Sequence, residues 1–487
     1  MELPNGWAWT TLGNLGQYIN GRGFKKSEWS TAGRPIIRIQ NLTGSGTDFN
    51  YFAGDLEQRY VVKPGDLLIS WAATLGAYIW SGPESALNQH IFKVESAIDK
   101  TFHRYLIDYK LAELMQETHG SGMVHVTRGR FDNLQIALPP LSEQRRIVEA
   151  LEDHLSRLDA ACSIIRANLR RCRALEAAVI DQAVRGVLMS HHEPVDEISP
   201  YAQELSRLRR SMSSGRTTPK LASSPLAMTI PTNWTTMSLD ELTWSIEYGT
   251  SAKAHSDSTP GDVPVIRMGN IQNRELDYSS LKYLPASHPD VQKLSLTDGD
   301  ILFNRTNSAE LVGKSAVYRS DSGPATFASY LIRCRVLPGV EPDWLNLVIN
   351  SPVGRSYLRS VVSQQVGQAN INGTKLATMP IPLPTPQEQR AILEVVDDYL
   401  GKHNRLTKAL TSSLQRAEHL RKSLLLRAFS GELVSQDPTE EPAIEFLKTI
   451  EAERGVRVKT TRGHRASTAP LRRTTYVSAV MQEELPL

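Results

Sequence analysis

Cysteine is nearly absent from this chain: Cys162, Cys172 and Cys334 are the whole complement in 487 residues, which excludes a disulfide framework. Charge of one sign is also lacking. Fifty-five basic residues stand against 52 acidic ones, a net of +3, so any attraction to a polyanion must be local. Basic density is higher at Arg166, Arg170, Arg171 and Arg173 and at Arg207, Arg209 and Arg210, as it also is on solvated helix faces. No apolar run reaches the roughly 18 to 20 residues of a membrane span, and Met1-Glu2-Leu3-Pro4 reads as the start of a folded unit, so a cytosolic protein is expected.

Catalytic signatures are missing as well. The sequence holds no His-Glu-x-x-His, Cys-x-x-Cys or Gly-x-Ser-x-Gly segment and no Asn/Asp-Pro-Pro-Tyr/Phe signature of amino-methyltransferases. Leu311-Val312-Gly313-Lys314-Ser315 resembles the end of a phosphate-binding loop, but Ser308 stands where its first glycine belongs. The pair His191-His192 lacks further ligands at metal spacing, and His90 and His125 stand alone. No metal and no catalytic residue is expected.

What the chain does have is a repeat. Leu138-Pro139-Pro140-Leu141-Ser142-Glu143-Gln144-Arg145 returns as Leu383-Pro384-Thr385-Pro386-Gln387-Glu388-Gln389-Arg390, 245 positions on, and that offset holds to Leu188/Leu433. Upstream it drifts: 227 for Trp7/Trp234, 229 for Arg38/Arg267 and 234 for Asp66/Asp300. Insertions therefore fall in the globular parts, where loops carry function.

Each globular part reads as α+β. Strand patterns are expected at Pro35 to Leu42 and Asp66 to Trp71, then at Val263 to Ile271, Asp300 to Asn304 and Ala325 to Val336; helices are expected near Phe102 to Glu117 and Trp344 to Val361. After each, the apolar period changes to alternating steps of three and four. The first stripe is Ile147, Leu151, Leu155, Leu158, Cys162, Ile165, Leu169, Cys172, Leu175 and Val179; the second runs from Ile392 through Val396, Leu400, His403, Thr407, Leu410, Leu414, Ala417 and Leu420 to Leu424. Such stripes make a coiled-coil seam in which His403 and Thr407 set register. Ser142 is the expected helix cap, and Gly186 and Gly431 the expected terminators. The expected divisions are a domain at 1–141, a helix at 142–188, a linker at 189–229 with a disordered middle, a domain at 230–386, a helix at 387–435 and a partly disordered tail at 436–487.

Two units that open with x-Pro-x-x-Trp (Leu3 to Trp7; Ile230 to Trp234), continue through Pro-x-Ile-Arg-x-x-Asn and Gly-Asp-Leu/Ile-Leu, and close with Leu-Pro-x-x-x-Glu-Gln-Arg before a long helix resemble the specificity subunit of type I restriction-modification systems. The resemblance covers about residues 1 to 188 and 230 to 435. It implies two target recognition domains on an antiparallel coiled coil, each reading one half of an asymmetric DNA site. It implies no active site in this chain, two methyltransferase subunits that use S-adenosylmethionine, and two motor-nuclease subunits that use ATP and Mg.

Base readout favours Arg on guanine and Asn or Gln on adenine, with Lys on phosphates. Candidates in the first domain are Lys25, Lys26, Arg38, Asn41, Asn88, Gln89, Arg128 and Arg130; in the second, Lys253, Arg267, Asn270, Arg305, Asn307, Asn370 and Asn372. Arg38/Arg267 and Asn41/Asn270 match between domains, which favours a structural or phosphate role for them, because domains with different targets should differ where they read. Unmatched loops at Gly21 to Trp29, Gly120 to Arg130, Tyr248 to Ser258 and Arg305 to Glu310 are the better readers. Two rivals remain: a coiled-coil scaffold that binds proteins and no DNA, and a nuclease with a dispersed acidic site.

Overall fold

Matched Trp, Glu, Gln, Gly and Pro residues make the same contacts in both repeats. Trp7 donates its indole N–H to Glu143 (3.0 Å), and Trp234 donates to Glu388 (3.4 Å). Gln144 donates to the Pro139 carbonyl (3.0 Å), and Gln389 to that of Pro384 (2.9 Å). Gly186 (φ 72°) and Gly431 (φ 78°) take the left-handed conformation that L side chains resist, and a Cβ on either would run into Pro231 or Pro4. Each x-Pro-x-x-Trp segment thus touches the start of its own long helix through Trp and the end of the other helix through Pro.

These contacts come from a computed structural model that describes residues 3–71, 74–117, 128–188, 198–212, 228–308, 311–365 and 368–464. The chain divides into two units, Met1–Ser163 with Ser413–Leu487, and Ile164–Ser412. The long helices Leu141–Val184 and Pro386–Phe429, 44 residues each, both contribute a part to each unit. At about 1.5 Å per residue each is about 66 Å long.

In the first unit, Ala8–Thr11 pairs antiparallel with Gln135–Leu138. One four-stranded sheet has the order Gly16–Asn20, Ile91–Ser96, Leu67–Ser70, Gly76–Ile79; a second has Asn50–Phe52, Arg34–Ile37, Ser85–Leu87, Val61–Val62. Helix Lys100–Glu117 follows, and Phe102, Leu106, Ile147, Leu151 and Phe429 share the core. Asp159 pairs with Arg421, so the two long helices run antiparallel here.

The second unit repeats this plan. Thr235–Ser238 pairs with Pro380–Leu383, a four-stranded sheet has the order Thr243–Tyr248, Leu331–Val336, Ile301–Asn304, Ser315–Val317, and Asp262–Ile266 lies between Lys282–Pro285 and Thr326–Phe327. Fully buried Trp344 donates to the Pro382 carbonyl (2.9 Å) and meets Trp234 edge-on. Ile180, Ala183 and Val184 join Ile392 and Val396 in its core, with Glu176 beside His403.

Several expectations need correction. The strand expected over Pro35 to Leu42 ends at Ile37 and turns into the short helix Ile39–Thr43; that over Val263 to Ile271 likewise stops at Ile266. The helix near Trp344 to Val361 is two, Pro342–Asn350 and Pro352–Val361, broken because Ser351 precedes a proline and takes the extended conformation. Ser142 lies inside its helix. The Gln144 N–H reaches the Pro140 carbonyl, and in the second copy Thr385 caps by exchanging hydrogen bonds with Glu388.

Leu175 and Leu420 leave the seam, at 56% and 51% exposure; half-buried Glu176 and Arg421 stand there instead. Within the expected linker, Ile198–Met212 is a helix whose Leu205 and Arg209 are buried on the second domain, with Arg209 paired to Asp240 (2.9 Å). Within the expected tail, Ala443–His464 is a helix whose Ala443, Leu447 and Ile450 join the first unit's core, tied by the Arg146–Glu440 ion pair. The expected disorder of the linker middle, His191-His192 and His125 lie outside the described residues.

Candidate nucleic-acid interface

The matched Arg and Asn of each domain form a turn. Asn41 accepts the Arg38 N–H (2.9 Å) and donates to the carbonyls of Gly46 and Asp48; Asn270 accepts the Arg267 N–H (2.9 Å) and donates to those of Asp277 and Ser280. Both asparagine amides are spent on backbone. The Arg38 guanidinium lies over the Trp29 ring (4.8 Å), and Arg267 donates to the Ser280 carbonyl (3.3 Å).

The remaining first-domain candidates are dispersed. Lys25 and Lys26 are exposed on a turn where the Lys25 N–H donates to Glu28. Asn88 and Gln89 are half-buried where Ser85–Leu87 ends, and the Gln89 Oε1 is buried without a partner among the described residues. Arg130 is exposed on helix Arg128–Asp132, and the Arg128 side chain lies outside the described residues.

In the second domain the structure gathers more of them. Lys253, Arg267, Asn304, Asn307, Lys282, Lys314 and Tyr330 contribute to a cavity of about 590 Å³ whose lining, among the described residues, includes no carboxylate. Asn304 is fully buried there, and its Oδ1 has no partner among the described residues. Arg305 lies over the Tyr248 ring (4.8 Å) and donates to the Ser329 carbonyl (3.4 Å). Asn370, on a strand paired with Thr306–Asn307, has a buried Oδ1 with no partner among the described residues. Asn372 caps helix Gly373–Ala377 by accepting from the Lys375 N–H (2.9 Å). Sequence reasoning missed Asn304, Lys282, Lys314, Tyr248 and Tyr330 as individual residues. The Gly-Asp-Ile-Leu segment pointed to the strand, but nothing in it showed which residue would end that strand buried and unpaired.

A second cleft of about 490 Å³ lies between the first long helix and the second domain, within one unit. Arg173, Arg274, Lys314, Arg355 and Arg359 line it against a single carboxylate among the described residues, Glu176. Asn273 (φ 48°) and Arg274 (φ 71°) form the tight hairpin that brings Arg274 to Glu176 (3.2 Å). Burial and the neighbouring Arg359 hold the Arg355 guanidinium below its ordinary pKa. Arg166 and Arg170 face solvent.

Among the described residues no group of His, Cys, Asp and Glu has metal-binding geometry, and no helix is long and apolar enough to cross a membrane. Gly313-Lys314-Ser315 runs into a strand instead of the helix a phosphate-binding loop requires.

A sequence model described as the type I restriction modification DNA specificity domain matches residues 4–164 and 231–416. The EcoBI specificity subunit of Escherichia coli is 24% identical over 475 residues, covering 93% of this chain and 94% of that protein. The EcoKI specificity subunit of Escherichia coli strain K12 is 23% identical over 481, covering 93% and 96%. A solved chain from work on complex assembly and conformational transition of the type I R-M system superposes with a TM-score of 0.59 at 18% identity, covering 89% of this chain and all of that one, a likeness of fold.

Proposed function

Because the chain belongs to the type I restriction modification DNA specificity family, whose domain it carries twice, we propose that each globular domain reads one half of an asymmetric, bipartite site in double-stranded DNA. Two unlike domains on one chain make a pseudo-dimer, so the half-sites differ and no palindrome is required. The observation that carries this reading is the second domain's cavity, lined by Lys253, Arg267, Lys282 and Lys314 and, among the described residues, by no carboxylate. Four cations gathered in a chain of net charge +3 are a local polyanion site. The Arg173–Arg359 cleft extends it, suited to backbone phosphates beyond the read bases. Lys25, Lys26 and Arg130 are phosphate contacts in the first domain.

On this reading the chain performs no chemistry itself. It acts in the cytoplasm by directing two methyltransferase subunits, which bring S-adenosylmethionine, and two motor-nuclease subunits, which bring ATP and Mg. The test is binding by the purified complex of this chain with its methyltransferase partner. A steep fall of affinity with salt and protection of a bipartite site are expected; weak, salt-insensitive binding would favour the scaffold reading instead.

A further inference from the structure

The two domains hang unlike side chains on one hydrogen-bonding frame. In the first, Gly21 N–H donates to Ile91 (3.1 Å), Arg22 N–H to Leu87 (3.1 Å) and Trp71 N–H to His90 (3.4 Å); in the second, Gly249 N–H donates to Leu331 (3.3 Å), Thr250 N–H to Phe327 (2.9 Å) and Arg305 N–H to Tyr330 (3.0 Å). The parallel bridge Arg22–Asn88 answers to Thr250–Ala328, and the register pair Ser70–Ile91 to Asn304–Leu331. These bonds equate positions that the drifting offset conceals.

The frame itself is kept. At both glycines the carbonyl of Asn88 or Ala328 fills the space a Cβ would take, and Leu87, Phe327, Ile91 and Leu331 are fully buried. The side chains it displays are not kept: Trp71 answers to Arg305, Gln89 to Ser329 and His90 to Tyr330. A buried polar atom left unpaired costs stability. Yet the Gln89 Oε1, the Asn304 Oδ1 and the Arg305 Nε are all buried without a partner among the described residues. Tyr330, 52% exposed, stands at the cavity rim.

The geometry points to this frame as the place where each domain's specificity is set, with Arg305 reading a guanine in the second half-site and Gln89 an adenine in the first. The inference rests on the DNA reading above. A guanidinium offers paired donors to guanine O6 and N7, while a Gln amide, once turned outward from the position in which the Gln89 Oε1 is buried, accepts from adenine N6 and donates to N7. Each reader has a counterpart in the other domain, Trp71 or Ser329, that cannot make the same pair, so the same frame spells different words.

The test is competition binding by the full complex with its methyltransferase partner, against sites substituted at each base pair. Arg305→Ala is expected to lower discrimination roughly 5- to 150-fold at one guanine of the second half-site and nowhere in the first. Gln89→Ala should do the same at one adenine of the first. An unaltered preference, a change in the opposite half-site, or a uniform loss with a salt slope shallower by about one, the mark of a phosphate contact, overturns the inference. Should Arg305→Ala fail to fold, Arg305→Gln keeps a long polar side chain and is expected to move the preference from guanine toward adenine; retained guanine preference also overturns it. An unaltered complex with no bipartite site at all would instead sink the DNA reading.

Discussion

Glu143 and Glu388 occupy equivalent places in the two repeats but have different company. Glu388 accepts from Trp234, Asn233 and Thr385, whereas Glu143 is 1% exposed, accepts from Trp7, and keeps a buried Oε1 with no partner among the described residues. Gly6 and Pro140 stand where Asn233 and Thr385 supply hydrogen bonds in the other copy. Burial pushes the Glu143 carboxyl up to about 7, against the pull of the Trp7 indole and of Arg146. The folded pKa is raised, so between about 4.5 and 7 the native state keeps a proton that the unfolded chain has released. Stability is therefore full at the acid end of that window and falls as pH rises through it, by up to about 3 kcal/mol. Glu143→Gln keeps an acceptor for Trp7 without the charge. Thermal unfolding of the variant should lose this downward slope and show a higher midpoint than the parent at pH 8; an unchanged slope would remove Glu143 as its source.

The long helices show how far a hydrophobic pattern can be followed. Up to Cys172 the apolar stripe and the buried face coincide, because every step lands on a residue that is apolar and inward. The next step of the alternation is four, to Glu176, but Leu175 is the more hydrophobic residue and draws the pattern outward; Leu420 and Arg421 repeat the same misreading. The short turns were illegible for another reason. Pro-x-Ile-Arg-x-x-Asn has strand composition throughout, and only the Asn side chain's bond back to the Arg N–H ends the strand. In the candidate site, residue types were legible and neighbours were not, since the cavity gathers side chains from 253, 282, 304 and 330 through long-range strand pairing. The seam also carries a cost. His403 is buried, stacks on Tyr399, and has neither ring nitrogen hydrogen-bonded among the described residues; Glu176 lies 3.7 Å away and already has Arg274. His403→Leu should stabilise the second unit by about 1 kcal/mol, seen as a higher thermal midpoint, while methylation mapping shows unchanged half-sites. A lower midpoint would mean that the polar seam pair holds register at a net gain.

At the scale of the whole molecule, length is the constrained quantity. The 245 offset holds through both helices, which are 44 residues each, while the domains absorb every insertion. Each unit takes a part of each helix, with the divisions after Ser163 and Ser412. Inserting residues in one helix alone would shift its phase against the other and break either the Asp159–Arg421 ion pair or the Glu176–His403 contact. Matched insertions at both divisions leave every contact within each unit in place. Four residues in each helix, close to one full turn, add about 6 Å, near two base-pair steps at about 3.4 Å each. The doubly inserted chain, assembled with its methyltransferase partner, is therefore expected to methylate a site with both half-sites unchanged and the unread spacer longer by about two base pairs. Modified-base sequencing reads both quantities at once. A constant spacer would show that the helices do not set the separation, and altered half-sites would place sequence readout in the helices instead of the domains.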